Sequence, residues 1–277
     1  MIIDTHLHVI DRTRLAYPWL AGTPLDRDFL YETYALEAKR LGIAKALHME
    51  VDVDEARIED ETGYVAELMD RPDSLIVGAI SSCRPESEDF SLFLDRQLAN
   101  PLIRGLRRIL HELPDDYSDT DLYRANVGRL AGTRLTYDLC VLARQLDWGI
   151  LLVDSAPDVR FVLDHCGIPD IRGDAFAFWR DRITEIAKRP NVTAKISGIV
   201  AYADAESWSL ETLRPWFEHM IGAFGWNRVI WGSDWPVCTL GGGLSTWIGA
   251  THALLSGVSA DDRQKLLGGN ARRLWTL

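Results

Sequence analysis

The first stretch able to do chemistry is Asp4-Thr5-His6-Leu7-His8, directly behind the β-prone pair Ile2-Ile3. Side chains alternate along a strand, so Asp4, His6 and His8 are expected on one face. Two imidazoles side by side at the end of a strand suit two jobs: ligating one metal ion, or presenting two hydrogen bonds to one substrate oxygen. Other polar residues fall at the ends of later β-prone runs: His48 and Glu50, Arg107, His165, Lys195 and Asp234. The set holds carboxylate, imidazole and guanidinium but no obvious activated nucleophile. Gly232-Ser233-Asp234 is not a Gly-x-Ser-x-Gly elbow, and Gly241-Gly242-Gly243 lacks the strand-to-helix context of a phosphate loop. What remains is water attack on a polarised carbonyl, which needs a base for the water and hydrogen-bonding or positive groups for the oxyanion. Asp234 suits the base; His6, His8, His165 and an arginine suit the carbonyl end.

Positioning these groups takes a series of strands. One β-prone run opens at Ile2, and others are expected over 44–50, 75–80, 103–109, 135–141, 160–165, 192–197 and 228–235. Helices are expected over 27–41, 54–69, 88–98, 124–130, 176–188 and 210–224, with one inside 142–155 and a last helical region after the triple glycine. The period of two places Ala46, His48 and Glu50 together, Gly105 with Arg107, Phe161 and Leu163 with His165, Lys195 with Ser197, and Ile230 and Gly232 with Asp234. Eight strands alternating with helices predict an α/β fold, a (β/α)8 TIM barrel as one domain over residues 1–277. Such barrels use roughly 250 residues and carry their chemistry at the C-terminal strand ends.

Composition narrows the partners. The chain has 277 residues, 47% of them hydrophobic and 26% charged, which supplies a large core. The net charge of −11, with no basic cluster longer than Arg107-Arg108 and Arg272-Arg273, argues against nucleic acid and against an anionic membrane surface. Cys83, Cys140, Cys166 and Cys238 are widely spaced and read as free thiols. No basic segment followed by an apolar one opens the chain, and no apolar run has membrane-spanning length, so a cytoplasmic protein is expected. The partner expected is a small molecule, and self-association is allowed.

Three motifs together resemble the amidohydrolase superfamily: His-x-His on the first strand, Leu163-Asp164-His165-Cys166-Gly167 on the sixth, and Gly232-Ser233-Asp234-Trp235-Pro236 on the eighth. Tyr17-Pro18-Trp19, Arg104-Gly105-Leu106-Arg107-Arg108, Lys195-Ile196-Ser197-Gly198 and Gly269-Asn270-Ala271-Arg272 bring it closer to the lactonase branch. That branch includes sugar-lactone lactonases of the fuconolactone and rhamnonolactone type and 2-pyrone-4,6-dicarboxylate lactonases. The resemblance covers nearly the whole chain. It implies a hydrolase that opens a small sugar-derived or carboxylated lactone, with Asp234 as base and His6, His8, His165 and an arginine on the carbonyl. Arg107 shares the face of Gly105 and is preferred to Arg108. Trp19, Tyr137 and Trp235 are candidates for the substrate wall, and His48, Glu50, Arg108 and Lys195 for further substrate contacts.

Arg107 and Arg108 cannot ligate a metal, and Thr136-Tyr137-Asp138-Leu139-Cys140 has no histidine, so a two-metal cage is not expected. His6, His8, His165 and Asp234 could hold a single ion such as zinc. Because a guanidinium can polarise the carbonyl itself, no metal is expected to be required. The rival readings are a metal-dependent amidohydrolase or non-oxidative decarboxylase on the same fold, and a catalytically inactive ligand-binding barrel.

Overall fold

The computed structural model describes residues 1–173 and 175–277. Eight strands lie in one parallel sheet in sequence order. They are β1 (Ile2–Leu7), β2 (Ile43–Met49), β3 (Ile76–Ser82), β4 (Ile103–Ile109), β5 (Thr136–Cys140), β6 (Phe161–Leu163), β7 (Val192–Ser197) and β8 (Val229–Gly232). Past its regular ladder β8 returns to β1: His8 N donates to Trp235 O at 2.8 Å, and Asp234 N to His6 O at 2.9 Å. The sheet thus becomes the expected single-domain (β/α)8 barrel, nearly closed.

The helices around it are α1 (Tyr31–Arg40), α2 (Ile58–Met69), α3 (Phe90–Ala99), α4 (Asp121–Gly128), α5 (Leu146–Ser155), α6 (Phe176–Ile186), α7 (Leu210–Phe224) and α8 (Leu244–Leu254). The short α9 (Ala260–Gln264) and α10 (Asn270–Trp275) follow. Among the described residues no helix is long and apolar enough to cross a membrane. The core has two layers. Ile3, Leu47, Met49, Ile80, Val162 and Ile230 fill the barrel with Ala271 and Trp275 of α10, and a larger layer packs the strands against the helices.

Several boundaries differ from the sequence expectation for local reasons. The first helix starts at Tyr31, not residue 27, because Phe29 exchanges two backbone hydrogen bonds with Ile10 (2.8 and 3.0 Å) and stays extended. The fourth starts at Asp121, where Thr120 caps it by accepting from Tyr123 N. Strand β6 stops at Leu163, because His165 and Cys166 turn left-handed (φ 51° and 57°).

Two face assignments are corrected as well. Ile3 pairs with Lys45 and Asp4 with Ala46, but Leu7 pairs with His48, so β1 carries one extra residue between Asp4 and Leu7. This bulge separates Asp4 from His6 and His8. Asp4 accepts instead from the Tyr34 hydroxyl of α1 (2.7 Å) and from Ser233 N (2.8 Å). On β2, Leu47 and Met49 take the inward face, which turns His48 away from the barrel interior.

Candidate active site

Asp234 stands two residues beyond β8 in the left-handed region (φ 58°) and is buried. Its Oδ1 lies 3.4 Å from His8 Nε2 and 3.7 Å from His6 Nε2, and its Oδ2 lies 3.6 Å from His165 Nδ1. Among the described residues Oδ2 makes no hydrogen bond. The approach depends on Gly198, just past β7 at φ 61°: a Cβ there would sit 2.4 Å from Asp234 Oδ2.

The imidazoles converge on this carboxylate. His6 Nε2 and His8 Nε2 are 3.2 Å apart, and the His6 and His165 ring centroids are 4.3 Å apart. His8 Nδ1 lies 3.0 Å from the carbonyls of both Met49 and Glu50. Those oxygens can only accept, so His8 Nδ1 carries a proton and its Nε2 is the atom turned toward Asp234. The hydroxyl of Ser197 engages His165 Nδ1 at 2.9 Å. Burial, with His165 and Lys195 nearby, holds the His6 imidazole well below its usual pKa, and burial also lowers that of His165. Both rings are neutral near pH 7.

Arg107 comes off the inward face of β4. Its Nε donates to Glu50 Oε1 at 2.6 Å and its Nη2 to the Glu50 carbonyl at 2.9 Å. Its Nη1 lies 3.3 Å from His6 Nε2 and 3.5 Å from Asp164 Oδ2. Burial alone would raise the Glu50 carboxyl; the Arg107 charge outweighs it and leaves Glu50 lowered and ionised. Beneath His6 lies a second ionic group. Lys195 Nζ is 2.7 Å from Asp138 Oδ2, 2.7 Å from Asp164 Oδ1 and 3.3 Å from His6 Nδ1. Burial would discharge this ammonium, but the two carboxylates raise its pKa instead. The same burial pushes Asp138 up to about 7.

Above this floor a cavity of about 610 Å³ opens, lined by His8, Arg107, His165 and Asp234, with Trp19 on its wall. Trp19 is held there by an Nε1 bond to the Val51 carbonyl at 2.9 Å. His6, Glu50 and Lys195 underlie the lining and do not form it. Four other candidates lie elsewhere. Tyr137 faces α4, where its hydroxyl meets that of Tyr123, because Asp138 takes the inward position on β5. Trp235 is buried edge-on to Phe29 (5.6 Å) and against Tyr34 (5.4 Å). Arg108 turns outward to Glu86 (2.9 Å), and His48 does not reach the cavity.

Sequence reasoning missed Asp52, His111, Glu112 and Tyr202 of the lining, and Asp138 and Asp164 beneath it. The period of two on β5 could have found Asp138. The others sit in connections, where no periodicity marks a side chain's direction.

The residues fit a divalent cation. His6, His8 and Asp234 each offer one donor atom within 4.8 Å of the others, as do His6, Asp164 and His165. Neutral imidazoles with a carboxylate are a donor set that zinc accepts.

A barrel with an unpartnered carboxylate, neutral imidazoles and a buried guanidinium at its strand ends is equipped for hydrolysis. The sequence pattern of the amidohydrolase family matches residues 3–277, and the chain belongs to that family. An L-fucono-1,5-lactonase of Burkholderia multivorans is 31% identical to it over 296 residues, covering 99% of this chain and 96% of that one. An uncharacterized protein of Sinorhizobium fredii is 29% identical over 292 residues, covering 98% and 96%. A solved amidohydrolase structure from Burkholderia multivorans, with bound zinc, superposes with a TM-score of 0.89 at 26% identity, covering 100% and 99%.

Proposed function

We propose that the protein opens a small lactone, sugar-derived or carboxylated, by attack of water activated by Asp234. The observation that carries this reading is the unpartnered Oδ2 of Asp234, buried among three imidazoles on the cavity floor. Asp234 takes a proton from water as the water oxygen bonds to the lactone carbonyl carbon. The oxyanion that forms faces Arg107 and the histidines, whose charge and N–H groups stabilise it. Collapse breaks the bond to the ring oxygen, which takes the proton back from Asp234, and a hydroxy acid leaves. The relative named as a lactonase supports the substrate class. Asp234→Asn should lower lactone turnover by about 10²–10⁴-fold, read with a pH indicator, while the thermal melt stays near wild type. A variant keeping more than half the wild-type rate would refute the assignment.

Metal dependence is the second reading, favoured by the His6, His8 and Asp234 donor set. A bound cation would polarise the carbonyl and acidify the attacking water. Against a requirement stands Arg107, whose Nη1 already lies 3.3 Å from His6 Nε2 and can polarise the carbonyl itself. Activity should therefore survive exhaustive chelation checked by elemental analysis. Loss of activity with the metal, restored by one equivalent of Zn²⁺ or Mn²⁺, would establish the metal-dependent reading.

A further inference from the structure

We propose that the lactone this cavity takes is uncharged and carries an apolar substituent. The substituent packs against an arc contributed by the connections that follow β1, β2 and β8. The inference rests on the lactone-hydrolase reading, keeps its reaction, and replaces the polyhydroxylated or carboxylated substituents with an apolar one.

Charge excludes a carboxylated ring. Among the described residues, Arg107 is the one lysine or arginine lining the cavity, and Glu50 already matches its charge at 2.6 Å. Arg108 is turned away to Glu86, and Lys195 is sealed beneath His6 by Asp138 and Asp164. Three carboxylates, Asp52, Glu112 and Asp234, face the same space. An anionic substituent would lose its hydration opposite like charges, with no unmatched lysine or arginine among the described residues of the lining to receive it.

The apolar arc gives the other half of the argument. Ile10 and Leu25 come from the connection between β1 and α1, Val51 follows β2, and Val237 and Leu240 follow β8. Trp19 flanks them, 39% exposed although its indole N–H is bonded. Thr23, also on this arc, already donates its hydroxyl to Leu20 O at 2.8 Å and accepts from Leu25 N at 3.2 Å, so hydroxyls laid here gain little, whereas hydrocarbon would remove its surface from water. Asp52 and Glu112, beyond β2 and β4, leave polar positions for the rest of the ring. The 610 Å³ of the cavity is drug-ligand size, with room for a substituent beside the ring.

The test is a panel of δ-lactones bearing hydrogen, methyl, propyl or pentyl at the ring carbon next to the ring oxygen. A fully hydroxylated aldonolactone and a pyrone dicarboxylate complete it. For the native enzyme kcat/KM should rise about fourfold per methylene over the first few carbons. The dicarboxylate should be the poorest substrate. Leu240→Asn should flatten the chain-length series, with the larger loss on the longer chains. A flat or falling series, a preference for the aldonolactone or the dicarboxylate over the pentyl lactone, or a series untouched by Leu240→Asn would overturn the inference. In those cases hydrolysis itself would still stand. No turnover of any lactone would overturn the hydrolytic reading together with this one.

Discussion

Arg107 holds Glu50 through two of its nitrogens and turns the third toward His6 and Asp164. That fork is a property of guanidinium, and a lysine ammonium cannot reproduce it. Arg107→Lys should therefore lower kcat/KM by roughly 10²-fold although the charge is kept. Arg108→Lys, which disturbs a partly exposed pair with Glu86, should cost far less. Equal effects of the two in steady-state kinetics would remove Arg107 from the site. The choice between these neighbours was legible in the sequence, because Gly105 marks the inward face and the period of two carries it to Arg107. The same rule works against Tyr137. An aromatic residue suggested a substrate wall, yet its neighbour Asp138 holds the inward position, where Lys195 compensates a carboxylate that composition alone would place at the surface. Glu50 was legible as a polar strand end, but its role as the clamp on Arg107 was not, since that bond joins residues 57 positions apart.

At the scale of elements, the strands deliver the chemistry only as far as their last regular residue. The final placement comes from three irregularities: the bulge in β1, and the left-handed backbone at His165 and at Asp234. The motifs around these residues were readable, but their backbone twist was not, because neither histidine nor aspartate announces a positive φ as glycine does. Gly198 is the exception, and its conformation can be tested directly. Gly198→Ala places a methyl against Asp234 and adds roughly 1–2 kcal/mol of left-handed strain. Because displacing a reacting group by about 1 Å can cost 10²-fold, kcat should fall by about that factor. The melting temperature should drop by several degrees, about 2–4 °C for each kcal/mol in a chain of this size. A wild-type kcat in a folded Gly198→Ala protein would show that Asp234 does not depend on this close approach.

For the molecule as a whole, strand order was plain in the alternation of runs. The seal of the barrel by Trp275, whose indole donates to Thr136 Oγ1 at 3.1 Å, was not, since nothing in a short terminal helix marks its inward side. The fold also buries an unusual set of titrating groups. Burial lowers His6 and His165, takes His48 to about 3, and takes His111 to about 4. In the unfolded chain histidine titrates near 6.5. Below that pH the unfolded state binds protons that the fold refuses, so stability present above 6.5 is lost as pH falls toward 4. For His48 and His111 the loss is about 1.4 kcal/mol per pH unit until each folded value is reached, and His6 and His165 add to it in the same direction. Glu61 acts in the opposite sense, its carboxyl raised by burial and by Glu50 to about 8. Its contribution is full below the unfolded value near 4.5 and fades as pH rises through 8. Urea midpoints should therefore fall steeply below pH 6 and more gently above pH 7. Glu61→Gln should flatten the decline above pH 7 and steepen the acid limb above pH 4.5, where the Glu61 and histidine slopes oppose each other. A wild-type profile level from pH 4 to 7 would contradict the neutral burial of the histidines.

The ionic group under the cavity floor has one more consequence, for behaviour in brine. Dissolved ions weaken only the charges that they can approach, and buried pairs are screened far less. Lys195, Asp138, Asp164, Arg107 and Glu50 are all at most 3% exposed. Pairs such as Arg12 with Asp28 and Arg57 with Asp60 stand open to solvent. Concentrated salt therefore loosens the rim of the molecule while the field felt by His6 keeps its dilute-buffer value, so ionic strength can erode this enzyme's durability without retuning its chemistry.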